Sequence, residues 1–259
     1  MRRNNVKQVL KQGGVAIGTM VFEFNTAGIG SIIAAAGADF AIFDMEHTGW
    51  SVETVRSLIA TSKMTSLVPM VRVPANQYPF ISRVLDVGAM GIMVPMVENS
   101  EQALHVVQCA KYPPLGRRGA AFGIAHDDYK MGDVAEEMRL TNQEILIIAQ
   151  IETAQGVENV EKIAAVDGID VLWIGHFDLT ASMGIPGQFD HPNYLSAVDR
   201  VLEAGQLYGK AIGFMASSVE EGQTLLEKGF RCLAYWGDLW IYSSALAKAI
   251  AILRARVAI

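Results

Sequence analysis

Residues 145–152 read ILIIAQIE and run straight into TAQG. Apolar residues lead without a break to Gln150, Ile151 and Glu152. A carboxylate closing such a run is costly to bury unless something there needs it. Further on, the apolar run VLWIG is followed by His176, Phe177 and Asp178. Two carboxylates converging with no basic residue between them repel, unless a cation binds. Oxygen-only ligands favour a hard ion such as Mg²⁺ or Mn²⁺, with waters or substrate oxygens filling an octahedron. The competing reading is that Glu152 caps the helix that follows, since acids favour helix N-termini.

Arg72 sits inside the apolar stretch PMVRVP. A lone buried guanidinium needs a partner. That partner is either the carboxylate or enolate of a bound substrate or a structural acid such as Asp44. His47 follows DME directly, and its imidazole is either a general acid–base group near neutral pH or a polar surface group at a loop start. Asp86, in RVLDVG, could orient it, though nothing in the spacing proves contact. Lysines supply a negative result. None falls within a strand-like run or at its C-terminal end, where a Schiff-base mechanism would need one. There is no G-x-S-x-G elbow, P-loop or H-E-x-x-H.

Eight elements are expected to position these groups. The runs 15–22, 40–46, 66–73, 91–97, 144–152, 171–175, 211–216 and 231–237 are continuously apolar, as parallel strands covered on both faces are. Helical patterns fill the gaps, one opening at the N-cap candidate Ser51, and several end in glycine. Eight βα units in one domain over residues 1–259 argue for a (β/α)₈ TIM barrel with an N-terminal helix. A doubly wound sheet is the alternative, but its glycine fingerprint is missing. The polar groups cluster where strands end: Asp44, Glu46 and His47 after the second run, Arg72 in the third, Gln150 and Glu152 in the fifth, His176 and Asp178 after the sixth, Asp238 after the eighth. Barrel active sites lie at that rim. The 46 residues between the fourth and fifth runs carry no deep apolar period and read as an elaborated loop after strand four. His126 and Tyr129 in that loop are expected to approach an active site, within the chain or across a subunit interface.

Net charge is −6 with 51% hydrophobic residues, which gives no general attraction to nucleic acid or anionic lipid. No stretch reaches the roughly 18 apolar residues a membrane span needs. Cys109 and Cys232 stand in no metal-binding spacing and read as buried thiols, and with no signal-peptide core the expectation is a cytoplasmic protein.

FDMEHTGWS, PMVRVP, VLDVGAMGIMVPMVEN, KYPPLGRRG, AQIETAQGVENV and WIGHFDLTASMGIPGQFDHP together resemble the class II pyruvate aldolases of the HpcH/HpaI aldolase/citrate lyase superfamily, over almost the whole chain. This is the family that contains 2-dehydro-3-deoxyglucarate aldolase and 2,4-dihydroxyhept-2-enedioate aldolase. The resemblance implies a barrel assembled as a homohexamer, a trimer of dimers with the last helix exchanged. It implies Glu152 and Asp178 as ligands of a divalent metal: Mg²⁺ or Mn²⁺, with Co²⁺ or Zn²⁺ as alternatives. It assigns Arg72 to pyruvate and its enolate, Gln150 to a pyruvate contact, and His47 with Asp86 to an acid–base dyad. Asp44 stands behind Arg72 in the substrate-binding group, and the backbone amide near Phe177 holds the pyruvate carboxylate. The implied reaction is reversible aldol cleavage of a 2-keto-4-hydroxy acid to pyruvate and an aldehyde. The alternative is a related carbon–carbon bond enzyme acting on oxaloacetate or an acyl-CoA; a barrel that only binds a metal–keto-acid complex is a third reading. Two departures stand out. Many relatives have Gly-Pro-Ala where this chain has Gly175-His176-Phe177. Many also have a strand-one tryptophan where this chain has Met20 or Phe22.

Overall fold

The computed structural model describes residues 2–257. Eight parallel strands close into a barrel in chain order: β1 (Ala16–Val21), β2 (Phe40–Asp44), β3 (Val68–Arg72), β4 (Gly91–Val94), β5 (Leu146–Ile151), β6 (Val171–Ile174), β7 (Ala211–Ala216) and β8 (Cys232–Gly237). β8 returns to pair with β1. Each of the eight apolar runs contains one strand, and the TIM-barrel expectation holds.

Successive side chains on a strand point to opposite faces. One set fills the barrel interior, including Met20, Ile42, Met70, Met93, Ile148 and Trp173. The other set, including Phe43, Val71, Ile92, Ile147 and Leu172, packs under the helices. Because both faces are covered, no polar alternation survives in the strands. The Trp173 ring requires a glycine beside it: a Cβ on Gly213 would lie 2.2 Å from the indole.

Helix α1 (Asn5–Lys11) closes the N-terminal end of the barrel. Its cap, Asn4, accepts from the Lys7 amide at 3.0 Å and donates to the Met90 and Glu144 carbonyls at 2.8 and 3.0 Å. After β1 to β4 come α2 (Ile29–Ala35), α3 (Val52–Ser62), α4 (Tyr78–Asp86) and α5 (Ser100–Ala110). Ser51 caps α3 as its sequence suggests, accepting from the Thr54 amide at 3.3 Å. Then follow α6 (Val134–Glu144), α7 (Ala154–Glu158), α8 (Val160–Ala164), α9 (His176–Ser182), α10 (Pro192–Tyr208), α11 (Val219–Lys228) and α12 (Asp238–Ala255). The left-handed glycines Gly209 and Gly229 terminate α10 and α11.

The elaborated segment follows the fourth βα unit, leaving from the end of α5, and α6 occupies its second half. That helix buries only Thr141 and Asn142, so it has no apolar stripe to reveal it. The first half packs under the N-terminal rim. Lys63, at the end of α3, donates to the Ala125 carbonyl at 2.7 Å, and Arg118 reaches Asp86 at the end of α4. Each helix runs back against its strand, so helix ends lie at the rim away from the strand C-termini. The expectation that His126 and Tyr129 approach the active site is therefore corrected for a single chain. His126 is buried beside Tyr112 and Phe122 and donates to the Ala121 carbonyl at 2.7 Å, while Tyr129 is exposed. Cys109 and Cys232 are free and buried. Among the described residues, no helix is long and apolar enough to cross a membrane.

Candidate active site

At the C-terminal rim a cavity of about 220 Å³ is lined by Met20, Phe22, His47, Arg72, Gln150, Trp173, Ile174, Gly175, His176, Phe177, Asp178, Met215 and Trp240. A wider groove, about 660 Å³, adjoins it and shares Phe22, His47 and Trp240. The larger of the openings at the other rim, about 600 Å³ around Lys7, Lys111 and Lys210, contains none of the strand-end acids.

The β2 and β3 ends are locked together by charge. Asp44 is fully buried. It accepts from Arg72 Nε at 2.6 Å and from the backbone amides of Glu46 and His47 at 3.1 and 3.0 Å. Glu46 Oε2 lies 3.1 Å from Arg72 Nη1. The structural reading of Arg72 holds, with Asp44 and Glu46 as its partners, and Arg72 also lines the cavity. Burial pushes the Glu46 carboxyl above its usual range. The Arg72 and His47 charges oppose that shift, while Asp44 and Asp178 add to it.

The β5 end is built around Glu152, which is 2% exposed. The cap of α7 is Thr153, whose hydroxyl accepts from the Gly156 amide at 3.0 Å. Glu152 therefore does not cap the following helix. It turns inward, accepting from the Met96 amide at 2.7 Å and from Gln150 Nε2 at 2.5 Å. Met96 takes the left-handed conformation, with φ 55°, just beyond β4. Strain of this kind persists where surrounding structure imposes it. A Cβ at Gly175 would fall 2.5 Å from Glu152 Oε2, so only glycine leaves this carboxylate room. Burial pushes Glu152 up to about 7, and the like charges of Glu46 and Asp178 add to the shift against the Met96 amide and Arg72. The Gln150 Oε1 atom is buried without a hydrogen-bond partner.

Asp178 lies in the first turn of α9, directly after Gly175, and its side chain is exposed toward the rim. His176 and Phe177 precede it. The expected site residues Asp44, Arg72, Gln150, Glu152, Phe177, Asp178 and His47 thus meet at one rim. Asp86 does not join them. It ends α4, whose nine residues carry the chain roughly 13 Å back from that rim. There it accepts from Arg118 at 2.6 and 3.2 Å. The dyad expected between His47 and Asp86 does not form within one chain; His47 Nε2 instead lies 3.6 Å from Glu46 Oε2.

Several contributors had no site role in the sequence reading. The Met96 amide is a backbone group whose importance comes from an unusual φ that composition does not reveal. Trp173 is hidden in an apolar run. Asp238 is visible as a strand-end acid, and its carboxylate accepts from the Phe22, Glu23 and Phe24 amides at 2.9, 3.0 and 2.6 Å. It thereby fixes the loop after β1 that carries Phe22 into the cavity.

A parallel eight-stranded barrel with acids and an arginine at its C-terminal rim carries its polar groups where barrel enzymes carry their active sites. The sequence model described as HpcH/HpaI aldolase/citrate lyase matches residues 19–241. The chain is 34% identical over 217 residues to the 5-keto-4-deoxy-D-glucarate aldolase of Enterobacter sp. (strain 638), covering 84% of each. Its fold superposes on the HpcH/HpaI aldolase of Desulfitobacterium hafniense DCB-2 with TM-score 0.92 at 32% identity, covering 96% of both chains. The citrate synthase SbnG aligns with TM-score 0.86 at 28% identity, covering 96% of this chain and 97% of that one. This chain belongs to the HpcH/HpaI aldolase/citrate lyase family, and it is an enzyme of the class II aldolase type.

Proposed function

We propose that this site catalyses reversible, divalent-metal-dependent aldol cleavage of a 2-keto-4-hydroxy acid to pyruvate and an aldehyde. One observation carries the reading above the rest. Glu152 is a desolvated carboxylate directly behind Gln150 and Gly175 of the cavity lining, held in place by Met96 and Gln150 and near two further acids.

Those residues fit a hard cation. The donors are oxygen only; burial raises Glu152 most, and the like charges of Glu46 and Asp178 that add to it are what a cation relieves. Among the described residues, no cluster of three or more His, Cys, Asp or Glu converges. Glu152 and Asp178 would hold the ion, with substrate and solvent oxygens completing its shell. Bound there, Mg²⁺ or Mn²⁺ would supply Lewis-acid polarisation of the keto acid.

The protein's own groups do the rest. Arg72, fixed by Asp44 and Glu46, presents positive charge to the oxygen that becomes an enolate, without reorganising. Gln150 lines the cavity beside the keto acid, and the free amides in the first turn of α9 near Phe177 donate to its carboxylate. His47 stands where cavity and groove meet and takes the proton from the C4 hydroxyl.

If Asp86 assists His47, it does so from a second copy. α12 supports such an assembly, because from Ile241 onward its described residues are exposed, among them Leu246, Ile250, Ile252 and Leu253. An apolar helix with no covered face needs a partner surface. We propose that α12 packs on neighbouring copies, as in a hexamer built from three dimers. The buried free thiols accord with a reducing cytoplasm.

The test is pyruvate release from a 4-hydroxy-2-keto acid. Chelation should abolish it and Mg²⁺ or Mn²⁺ should restore it; turnover that survives thorough chelation refutes the reading. The similarity to a citrate synthase raises a second possibility, oxaloacetate in the same site. Condensation of oxaloacetate with acetyl-CoA, with no activity on hydroxy keto acids, would favour it.

A further inference from the structure

The outer half of the cavity is lined chiefly by rings and thioethers. His176 stacks on Phe214, with centroids 4.8 Å apart and planes 22° apart, and packs against Phe177 and Phe189 at 4.5 and 5.3 Å. Phe177 meets Phe189 edge-on at 5.3 Å yet keeps 61% of its surface exposed. Across the cavity, Phe22 meets Trp240 edge-on at 4.9 Å, and Met20 and Met215 line the wall between. Fixed positive charge is scarce. Arg72 is the one arginine or lysine among the described lining residues, and Asp44 and Glu46 already pair with it. Asp178 is the one carboxylate among those lining residues.

We infer that the acceptor half of this site takes an uncharged, apolar aldehyde, aliphatic or aromatic, and disfavours an aldehyde that carries its own carboxylate. This rests on the aldolase reading above and narrows it. In the condensation direction, C3 of pyruvate loses a proton, its electron pair forms the new bond to the aldehyde carbon, and the aldehyde oxygen takes up a proton. The aldehyde substituent then projects from the bound pyruvate toward the rings of Phe177, His176, Phe22 and Trp240. Apolar area on that substituent is removed from water there. A carboxylate at the same place would lose its water among these rings with no unpaired arginine or lysine in the lining to receive it.

The test uses the full-length protein with pyruvate and Mn²⁺. Condensation is measured with butanal and 3-phenylpropanal against glyoxylate and succinic semialdehyde. The inference predicts kcat/KM for the apolar aldehydes at least about tenfold higher. It also predicts that Phe177→Ser lowers the ratio of 3-phenylpropanal to glycolaldehyde kcat/KM by about tenfold; the exposed position of this side chain leaves the fold intact. Equal or better use of the carboxylated aldehydes, or an unchanged ratio in Phe177→Ser, overturns the inference. Deuterium exchange into the methyl group of pyruvate, followed without aldehyde, separates the two levels. Exchange without apolar preference sinks this inference alone, and absence of exchange sinks the aldolase reading beneath it.

Discussion

Metal-free Glu152→Gln should be more stable than the metal-free parent at pH 8, and no more stable at pH 4. A carboxyl moved from its ordinary 4.5 to about 7 carries about 3 kcal/mol of unfavourable interaction once ionised. Below pH 4.5 the group is protonated in both folded and unfolded chains and contributes nothing. Between 4.5 and about 7 the unfolded chain ionises first, so stability is lost as pH rises. Above about 7 the full cost is present. A glutamine removes that cost. Its oxygen still accepts from the Met96 amide, and its new amide can donate to Gln150 Oε1, which lacks a partner, once the Gln150 amide turns over. Allowing for the lost charge-assisted bond from Gln150, the net gain should be about 2 kcal/mol at pH 8. Denaturant unfolding of both proteins in chelator, at matched protomer concentration across pH 4–8, measures it. A variant less stable than its parent at every pH would refute the reasoning, because the carboxylate would then be stabilised rather than strained by its surroundings.

Arg72→Ala should lower kcat at least about a hundredfold in the pyruvate-release assay, since it removes a preorganised charge at the developing enolate. Asp44→Asn should destabilise the fold by roughly 3 kcal/mol in urea unfolding, because it weakens a buried pair with Arg72 and the anchor of the loop after β2. Met96→Gly keeps the amide that holds Glu152 and relieves a left-handed φ, so unfolding should show a gain of up to about 1 kcal/mol with activity retained. Stopping the chain after Trp240 should leave a smaller assembly by light scattering at the same protein concentration; an unchanged assembly would remove α12 from the interface.

The strands were legible because covering both faces of a parallel sheet leaves an uninterrupted apolar run with no other simple origin. The site was legible for a related reason. Asp44, Arg72, Gln150 and Glu152 are polar groups closing such runs, where burial makes them costly without a purpose. What escaped notice lacked either signal. α6 buries only polar Thr141 and Asn142, so its sequence reads as a loop. α9 is seven residues long and too short to show a period. The left-handed turn at Met96 leaves no mark in residue type. Asp86 shows the limit of motif reading: the resemblance pairs it with His47, while helix direction within one chain carries it to the opposite rim. His126 likewise lies away from the site of its own chain, since a long connection after a helix hangs from the rim where helices end.

The account turns on whether Glu152 and Asp178 hold one cation together. Titration of the metal-free protein with Mn²⁺, followed by the loss of the free-ion EPR signal, tests this most directly. One site per chain is expected, with affinity falling at least about tenfold in Glu152→Gln and in Asp178→Asn. Undiminished Mn²⁺ binding in both variants would contradict it.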